Sequence, residues 1–202
     1  NRAMLAPLMF EPPPRRVLLA GCGGGAIARW FNARDPAIRG DAVELSETVA
    51  RLAREYFDFP PASSNWRLLA GDVRDHLKGA PPRYDYILVD LDDSQLTPDW
   101  VTAGPFLEDC RTALGDAGTL VLNLITPTVD LAADALFAIR QVFTEGISLL
   151  DNPGHENLLV LARTGGPTPP PPAAALAAGQ ARWGIEFDTL AARLRTVPAA
   201  AR

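Results

Sequence analysis

The sequence predicts a doubly wound α/β domain, and three observations lead to this fold class. Short apolar runs alternate with helical patterns along the chain. Two of the runs, YDYILVD at 84–90 and GTLVLNLI at 118–125, are apolar on both faces, which is typical of strands in a mostly parallel sheet covered by helices on both sides. Near the end, two strand-like runs are joined by a turn, which predicts an antiparallel C-terminal hairpin.

The first two predicted βα units surround a glycine turn. RVLLA at 16–20 is short, apolar and followed by glycine, and AIARWFNAR at 26–34 has helical spacing. The second strand, GDAVEL at 40–45, leads into SETVARLAREYF at 46–57. We expect a helix there, because Ser46 is a candidate N-cap and apolar residues recur every three or four positions.

The remaining elements follow in the same alternation. Strands are predicted at 66–70, 84–90 and 118–125, and the pattern TVDLAADALFAIRQVF at 128–143 is that of an amphipathic helix. The hairpin is expected at 146–162, with NPGH as its turn. The sequence therefore predicts six or seven strands with helices between the first five.

A proline-rich segment divides the chain. We expect the α/β domain at 1–164, a linker at 165–172 (GGPTPPPP) that can hold neither helix nor strand, and a helical tail at 173–202. Apolar residues of the tail, among them Trp183 and Phe187, are expected to pack onto the domain or onto a neighbouring subunit.

Composition excludes several classes of partner. The 202 residues carry a net charge of −5 with scattered basic residues, so we expect no nucleic-acid partner. No apolar run approaches the roughly 20 residues that span a bilayer, and the start has no signal-peptide pattern, so we expect a cytoplasmic protein without a membrane partner. Cys22 and Cys110 have no metal-ligand spacing around them; we expect reduced thiols and no metal.

The glycine turn after the first strand is a candidate ligand site. Ligands of parallel sheets bind at the carboxyl ends of the strands, and glycines at 21, 23 and 24 let a ligand approach the main chain. This turn alone would also suit a dinucleotide or a tight connection. Glu44, at the end of the second strand, is where a carboxylate accepts hydrogen bonds from ribose hydroxyls.

Further carboxylates follow the third and fourth strands. Asp72 is suited to the exocyclic amine of an adenine, and together with Glu44 it favours an adenosyl group over a pyrophosphate. Asp90, Asp92 and Asp93 crowd the end of the fourth strand, where they repel one another unless a cation or amine lies between them. Acids in this place can bind and deprotonate a cationic amine.

Five segments together resemble the spermidine synthase (polyamine aminopropyltransferase) family over about residues 3–163: RRVLLAGCGGGAIARWF, DAVELSETVARLAREYF, RLLAGDVRDHL, RYDYILVDLDD and LGDAGTLVLNL. The resemblance implies a Rossmann-like, S-adenosylmethionine-methyltransferase-type domain. It also implies a transferase that moves an aminopropyl group from decarboxylated S-adenosylmethionine to an amine such as putrescine. The dimers and tetramers common in the family leave a homodimer open for this chain.

The resemblance also implies roles for single residues. Glu44 is expected to hold the ribose, and Asp72 with the main chain of Val73 the adenine. Asp90 is expected to assist deprotonation of the attacking amine, and Asp93 to bind the diamine. Asp92, next to Asp93 at the same strand end, is a further candidate for substrate binding on its position alone. The expected cofactor-binding set further includes four residues of the glycine turn and of the second strand's end: Gly21, Cys22, Gly23 and Leu45.

Departures from the family pattern leave alternatives open. The family usually reads Gly-Gly-Gly-Asp-Gly at the glycine turn, whereas Gly24 stands here in place of the acid that grips the aminopropyl ammonium. Intact S-adenosylmethionine is therefore an alternative co-substrate, and a small-molecule methyltransferase an alternative function. A non-catalytic, adenosyl-binding relative is the third reading. The family's N-terminal hairpin domain is not found before Asn1, so we expect a shortened, divergent relative.

Overall fold

The computed structural model describes residues 2–10, 12–79, 83–91, 96–151 and 157–199, and it confirms the predicted fold class. The strands are β1 (Arg16–Ala20), β2 (Arg39–Glu44), β3 (Trp66–Ala70), β4 (Tyr84–Val89), β5 (Leu114–Ile125), β6 (Gly146–Asp151), β7 (Asn157–Arg163) and β8 (Leu194–Pro198). The α-helices are α1 (Ala26–Arg34), α2 (Glu47–Tyr56), α3 (Val73–Lys78), α4 (Gly104–Ala113), α5 (Val129–Val142), α6 (Ala173–Trp183) and α7 (Phe187–Arg193). Short 3₁₀ helices cover Arg2–Met9 and Asp99–Val101.

The sheet has the order β3-β2-β1-β4-β5-β7-β6-β8. Strands β1 to β5 are parallel, and β6 and β7 form the antiparallel hairpin that the sequence predicts, with β7 paired to β5. The predicted NPGH turn lies outside the described residues. Strand order reverses between β1 and β4, and ligands of such sheets bind at the carboxyl ends of the strands beside this reversal.

Two apolar layers cover the sheet. Alternate residues of β1 point to opposite faces, so that Val17 and Leu19 join one layer while Leu18 and Ala20 join the other. The first layer contains α1, α2, the N-terminal 3₁₀ helix and the tail, and the second contains α3, α4 and α5. Ser46 caps α2 by accepting a hydrogen bond from Val49 N, as the sequence predicts.

The tail is not helical throughout, which corrects the prediction for 173–202. After α6 and α7 the chain forms β8, which pairs antiparallel with β6. Strand β6 would otherwise offer unpaired main-chain groups at the sheet edge, and pairing with β8 satisfies them. Trp183 and Phe187 are buried against the domain. The division into domain, linker and tail stays a prediction.

The N-terminal 3₁₀ helix is a buried part of the first layer. Seven of its residues, 3–9, are buried, and it lies against α6 and α7. The Tyr86 hydroxyl donates a hydrogen bond to the carbonyl of Pro7 at 3.0 Å. Within the described ranges, no helix is long and apolar enough to cross a membrane.

Candidate functional site

The glycine turn brings the carboxyl ends of β1 and β4 into direct contact. Gly21 has a φ of +85°, which L side chains rarely adopt, and a Cβ at this position would overlap the carbonyl oxygen of Asp90. The main chain of Asp90 in turn donates from its N–H to the carbonyl of Ala20 at 3.0 Å. Only glycine therefore fits position 21 without a shift of the strand ends.

Glu44 ties the end of β2 to this turn. Its Oε2 accepts hydrogen bonds from the main-chain N–H groups of Cys22 at 3.1 Å and Gly23 at 3.2 Å, and its Oε1 accepts from Ser46 N at 3.1 Å. A carboxylate has about four lone-pair sites, two on each oxygen, so beside these three donors Oε1 can still accept a hydrogen bond from a ligand.

A cavity of about 580 Å³ opens where these elements meet. This volume lies in the range typical of small-molecule sites. The residues that line it come from the N-terminal 3₁₀ helix, the glycine turn and α1, the end of β2 with the start of α2, and the end of β4: Met4, Leu19, Gly21, Cys22, Gly23, Gly24, Ala26, Ile27, Glu44, Leu45, Ser46, Val49, Leu88, Asp90 and Leu91. Six predicted site residues are thus together: Gly21, Cys22, Gly23, Glu44, Leu45 and Asp90.

Asp90 is held from the side of β5. Its Oδ1 accepts a hydrogen bond from Asn123 Nδ2 at 2.7 Å, and Asn123 Oδ1 accepts one from Asn157 Nδ2 at 3.1 Å. Sequence reasoning did not single out either asparagine. The signal for Asn123 was a polar residue inside the apolar run LVLNLI, whereas Asn157 gave none.

Asp72 has a different environment. Its side chain caps α3 by accepting from Arg74 N at 2.8 Å, and both of its oxygens accept from the Arg74 guanidinium. These hydrogen bonds from Arg74 hold the pKa of Asp72 below its usual value. The guanidinium lies 4.6 Å from the centroid of the Trp100 ring. Neither Asp72 nor the buried Val73 is among the described residues that line the cavity.

The other predicted acids are Asp92 and Asp93, which lie outside the described residues. Their substrate-binding roles stay predictions.

A second cavity, of about 430 Å³, lies at the carboxyl end of β5. Its walls come from the segment that begins at Leu96, from β5 and the residue after it, and from α5: Leu96, Thr97, Asp99, Thr102, Leu124, Ile125, Thr126, Leu131, Asp134, Ala135 and Ala138. It therefore combines apolar side chains with the carboxylates of Asp99 and Asp134.

The Cys22 thiol is not activated. Burial, with the nearby Glu44 carboxylate, raises its pKa to about 11. The thiol is therefore protonated at neutral pH and has little nucleophilic character.

Comparisons with known proteins find two groups of relatives. No protein-family model matches the chain. A polyamine aminopropyltransferase of Vibrio vulnificus is 34% identical over 147 residues, covering 71% of this chain and 48% of the relative. One of Chromobacterium violaceum is 28% identical over 198 residues, covering 96% and 76%. A mouse eEF1A lysine and N-terminal methyltransferase is 28% identical over 147 residues, covering 68% and 21%. The chain spans about half the length of the Vibrio relative.

Solved structures agree on the fold. Human methyltransferase-like protein 13 in complex with SAH has a TM-score of 0.76 at 22% identity, covering 92% of this chain and 89% of that one. A probable spermidine synthase from Corynebacterium glutamicum has a TM-score of 0.72 at 23% identity, covering 91% and 66%. The Rossmann-like, methyltransferase-type fold that the sequence predicts is confirmed.

Proposed function

Since the chain is a divergent relative of the polyamine aminopropyltransferases, we propose that it transfers an aminopropyl group from decarboxylated S-adenosylmethionine to a small amine. One observation carries this proposal: Glu44 and Asp90 line the same 580 Å³ cavity, with the glycine turn between them. A ribose-binding acid and a base for an amine are both needed at one site, and this cavity offers a carboxylate for each role.

The adenosyl half of the co-substrate would lie along the glycine turn. Glu44 would accept a hydrogen bond from one ribose hydroxyl at the Oε1 lone pair that Ser46 leaves free, and one from the other hydroxyl in place of a main-chain donor of the turn. The exocyclic amine of the adenine would go to Asp72, beside the Val73 main chain. In that complex the Asp72 carboxylate would accept hydrogen bonds from both Arg74 and the adenine, or from the adenine in place of Arg74.

The transfer itself needs a base at the acceptor nitrogen. An amine of this class arrives as an ammonium, and the Asp90 carboxylate takes one of its protons. The freed nitrogen lone pair forms a bond to the aminopropyl carbon attached to the sulfonium. The carbon–sulfur bond breaks and its electron pair stays on sulfur, which leaves as a neutral thioether, methylthioadenosine. The product is a secondary ammonium, and Asp90 returns its proton to water.

The acceptor would lie beyond Asp90, at the same edge of the sheet. We assign its ammonium groups to Asp92 and Asp93 and to the second cavity, where Asp99 and Asp134 stand among apolar side chains. An aliphatic amine combines an apolar stem with positive ends, which matches such a lining.

A methyltransferase acting on a small molecule is the second candidate, and Gly24 is the observation that favours it. Position 24 has no side chain, so the turn offers no carboxylate there for an aminopropyl ammonium. The place is also narrow, because a Cβ at position 24 would lie 3.2 Å from the Phe57 ring. Intact S-adenosylmethionine, which carries a carboxylate of its own, would meet no repulsion from this position.

The test compares the two co-substrates. Purified protein is incubated with putrescine and either decarboxylated or intact S-adenosylmethionine, and products are identified by mass spectrometry. Spermidine with methylthioadenosine supports the proposal, and methylated product from the intact co-substrate supports the second candidate. Adenosyl-ligand binding without turnover would make the chain a non-catalytic relative.

Two variants accompany this assay. Asp90→Asn should abolish turnover and leave the affinity for methylthioadenosine within a few-fold. Asp116→Asn is the matched control, because its side chain is fully exposed, and it should leave both unchanged. Full activity of the Asp90 variant would remove Asp90 as the base.

A further inference from the structure

Two asparagines form a hydrogen-bonded chain that ends on Asp90. Asn123 lies in β5 and is only 6% exposed, and its neighbours in the strand, Leu122 and Leu124, are fully buried. A polar amide at such a position costs free energy unless its groups are hydrogen-bonded. Here the amide nitrogen donates to Asp90 Oδ1 at 2.7 Å, and the amide oxygen accepts from Asn157 Nδ2 at 3.1 Å.

Strand register explains why the three side chains meet. Val89 is the partner of Leu122 in the β4–β5 pair, so Asp90 and Asn123, one residue further, lie at the same level. In the β5–β7 pair Asn123 is opposite Leu159, and Asn157 is opposite Ile125. Asn157 is therefore the diagonal neighbour of Asn123 on the same face.

The outer asparagine determines which way the inner one faces. Because Asn157 donates to Asn123 Oδ1, the amide group of Asn123 must turn its Nδ2 towards Asp90. Without Asn157 the amide oxygen would lose its donor, and the contact with Asp90 alone would have to hold the amide in this orientation. Neither asparagine is among the residues lining the 580 Å³ cavity, so the two asparagines contact Asp90 from the side away from the cavity.

We infer that Asn123, oriented by Asn157, is a positioning residue that fixes the Asp90 carboxylate by its Oδ1 and leaves Oδ2 for the amine proton. This inference rests on the proposed function, in which Asp90 is the base. A base contributes fully only if it is held in reach of the proton, because a misplacement of about 1 Å can cost about 100-fold in rate.

The test measures turnover and substrate affinity in three variants. Asn123→Ala should lower kcat about 10- to 100-fold, with the affinity for methylthioadenosine within about two-fold of wild type. The KM for the amine should change much less than kcat, because Asn123 does not line the cavity that would hold the reacting groups. Asn157→Ala should give a smaller change of the same kind. Asn65→Ala is the control, since this exposed side chain donates to the Pro36 carbonyl at the opposite edge of the sheet.

A second measurement does not depend on activity. The carboxyl ¹³C signal of Asp90 is compared by NMR at one neutral pH in wild type, Asn157→Ala and Asn65→Ala; Asn157 is half-buried at the start of β7, so its variant should keep the fold. A chemical shift of this signal that changes only in Asn157→Ala supports the positioning. An active wild type with unchanged kcat in both Asn123→Ala and Asn157→Ala overturns it. A wild type that catalyses no transfer contradicts the proposed function instead, and an unchanged ¹³C signal in Asn157→Ala then overturns the positioning as well.

Discussion

The carboxylate of Glu44 and the main-chain N–H of Cys22 are joined by a hydrogen bond of 3.1 Å, which connects the end of β2 to the glycine turn after β1. One side chain thus shapes the turn and faces the cavity that the turn helps to form. Loss of this carboxylate should therefore affect both ligand binding and the conformation of the turn.

Glu44→Ala should weaken the binding of methylthioadenosine by about 1 to 3 kcal/mol, the range for lost hydrogen bonds to a charged group. Isothermal titration calorimetry measures this difference directly. Glu108→Ala, on the exposed side of α4, is the control and should bind like the wild type. Equal affinities of the Glu44 variant and the wild type would show that Glu44 does not hold the ribose.

Gly21→Ala should destabilise the protein by about 1 to 3 kcal/mol, the cost of a strained backbone conformation. The φ of +85° and the Asp90 carbonyl both oppose a Cβ at this position. Gly104→Ala is the matched control, because a Cβ there meets nothing within 4 Å. Denaturant unfolding measures both variants, and equal stabilities would contradict the close approach of β1 and β4.

Trp183→Ala tests how firmly the tail is docked. Trp183 is 3% exposed, and its ring centroid lies 5.8 Å from that of Trp30 in α1. We expect a loss of about 3 to 5 kcal/mol in the free energy of unfolding, as for other buried tryptophans. Phe137→Ala, whose side chain is 67% exposed, should change it by less than about 0.5 kcal/mol. A Trp183 variant as stable as this control would mean that the tail contributes little to the fold.

The free energy of unfolding should decrease as the pH falls below about 6.5, the pKa of an unperturbed histidine. His76 contributes to this decrease. Burial lowers the pKa of His76 in the folded protein, so the unfolded chain takes up the proton first. The ring nitrogen lies 2.9 Å from the Tyr84 hydroxyl, which donates to Asp41. His76→Gln should remove this part of the pH dependence, measured as the melting temperature between pH 7 and 5. An identical slope in both proteins would exclude His76 as its origin.

If the acceptor amine binds in the second cavity, a change in its lining should affect the KM for the amine and not the binding of the co-substrate. Asp134→Asn should raise the KM for the amine several-fold, because one carboxylate near the ammonium is lost, while the affinity for methylthioadenosine stays the same. Asp130→Asn, on the exposed first turn of the same helix, is the matched control. Steady-state kinetics at saturating co-substrate measures the KM for the amine in both variants. An unchanged KM would place the acceptor elsewhere.

Much of the site follows from local sequence. The run RVLLA followed by glycines predicts a strand that ends in a turn, and Glu44 and Asp90 end the second and fourth strands. The carboxyl ends of parallel strands meet at one edge, so the sequence could predict that these residues share a cavity. Their chemical roles are still predictions.

Other contacts depend on tertiary structure. Asn157 reaches Asn123 only through the register of β5 and β7, and Met4 reaches the cavity only because the N-terminal 3₁₀ helix is buried beneath the tail. Arg74, two residues from Asp72, takes both oxygens of a carboxylate that the sequence assigned to adenine. The sequence by itself determined the fold class, the strands before the tail and the acids at their ends, because hydrophobic periodicity and turn residues are local. Only the tertiary structure decided which partners hold each acid and where the tail pairs, because these contacts join residues far apart in the chain.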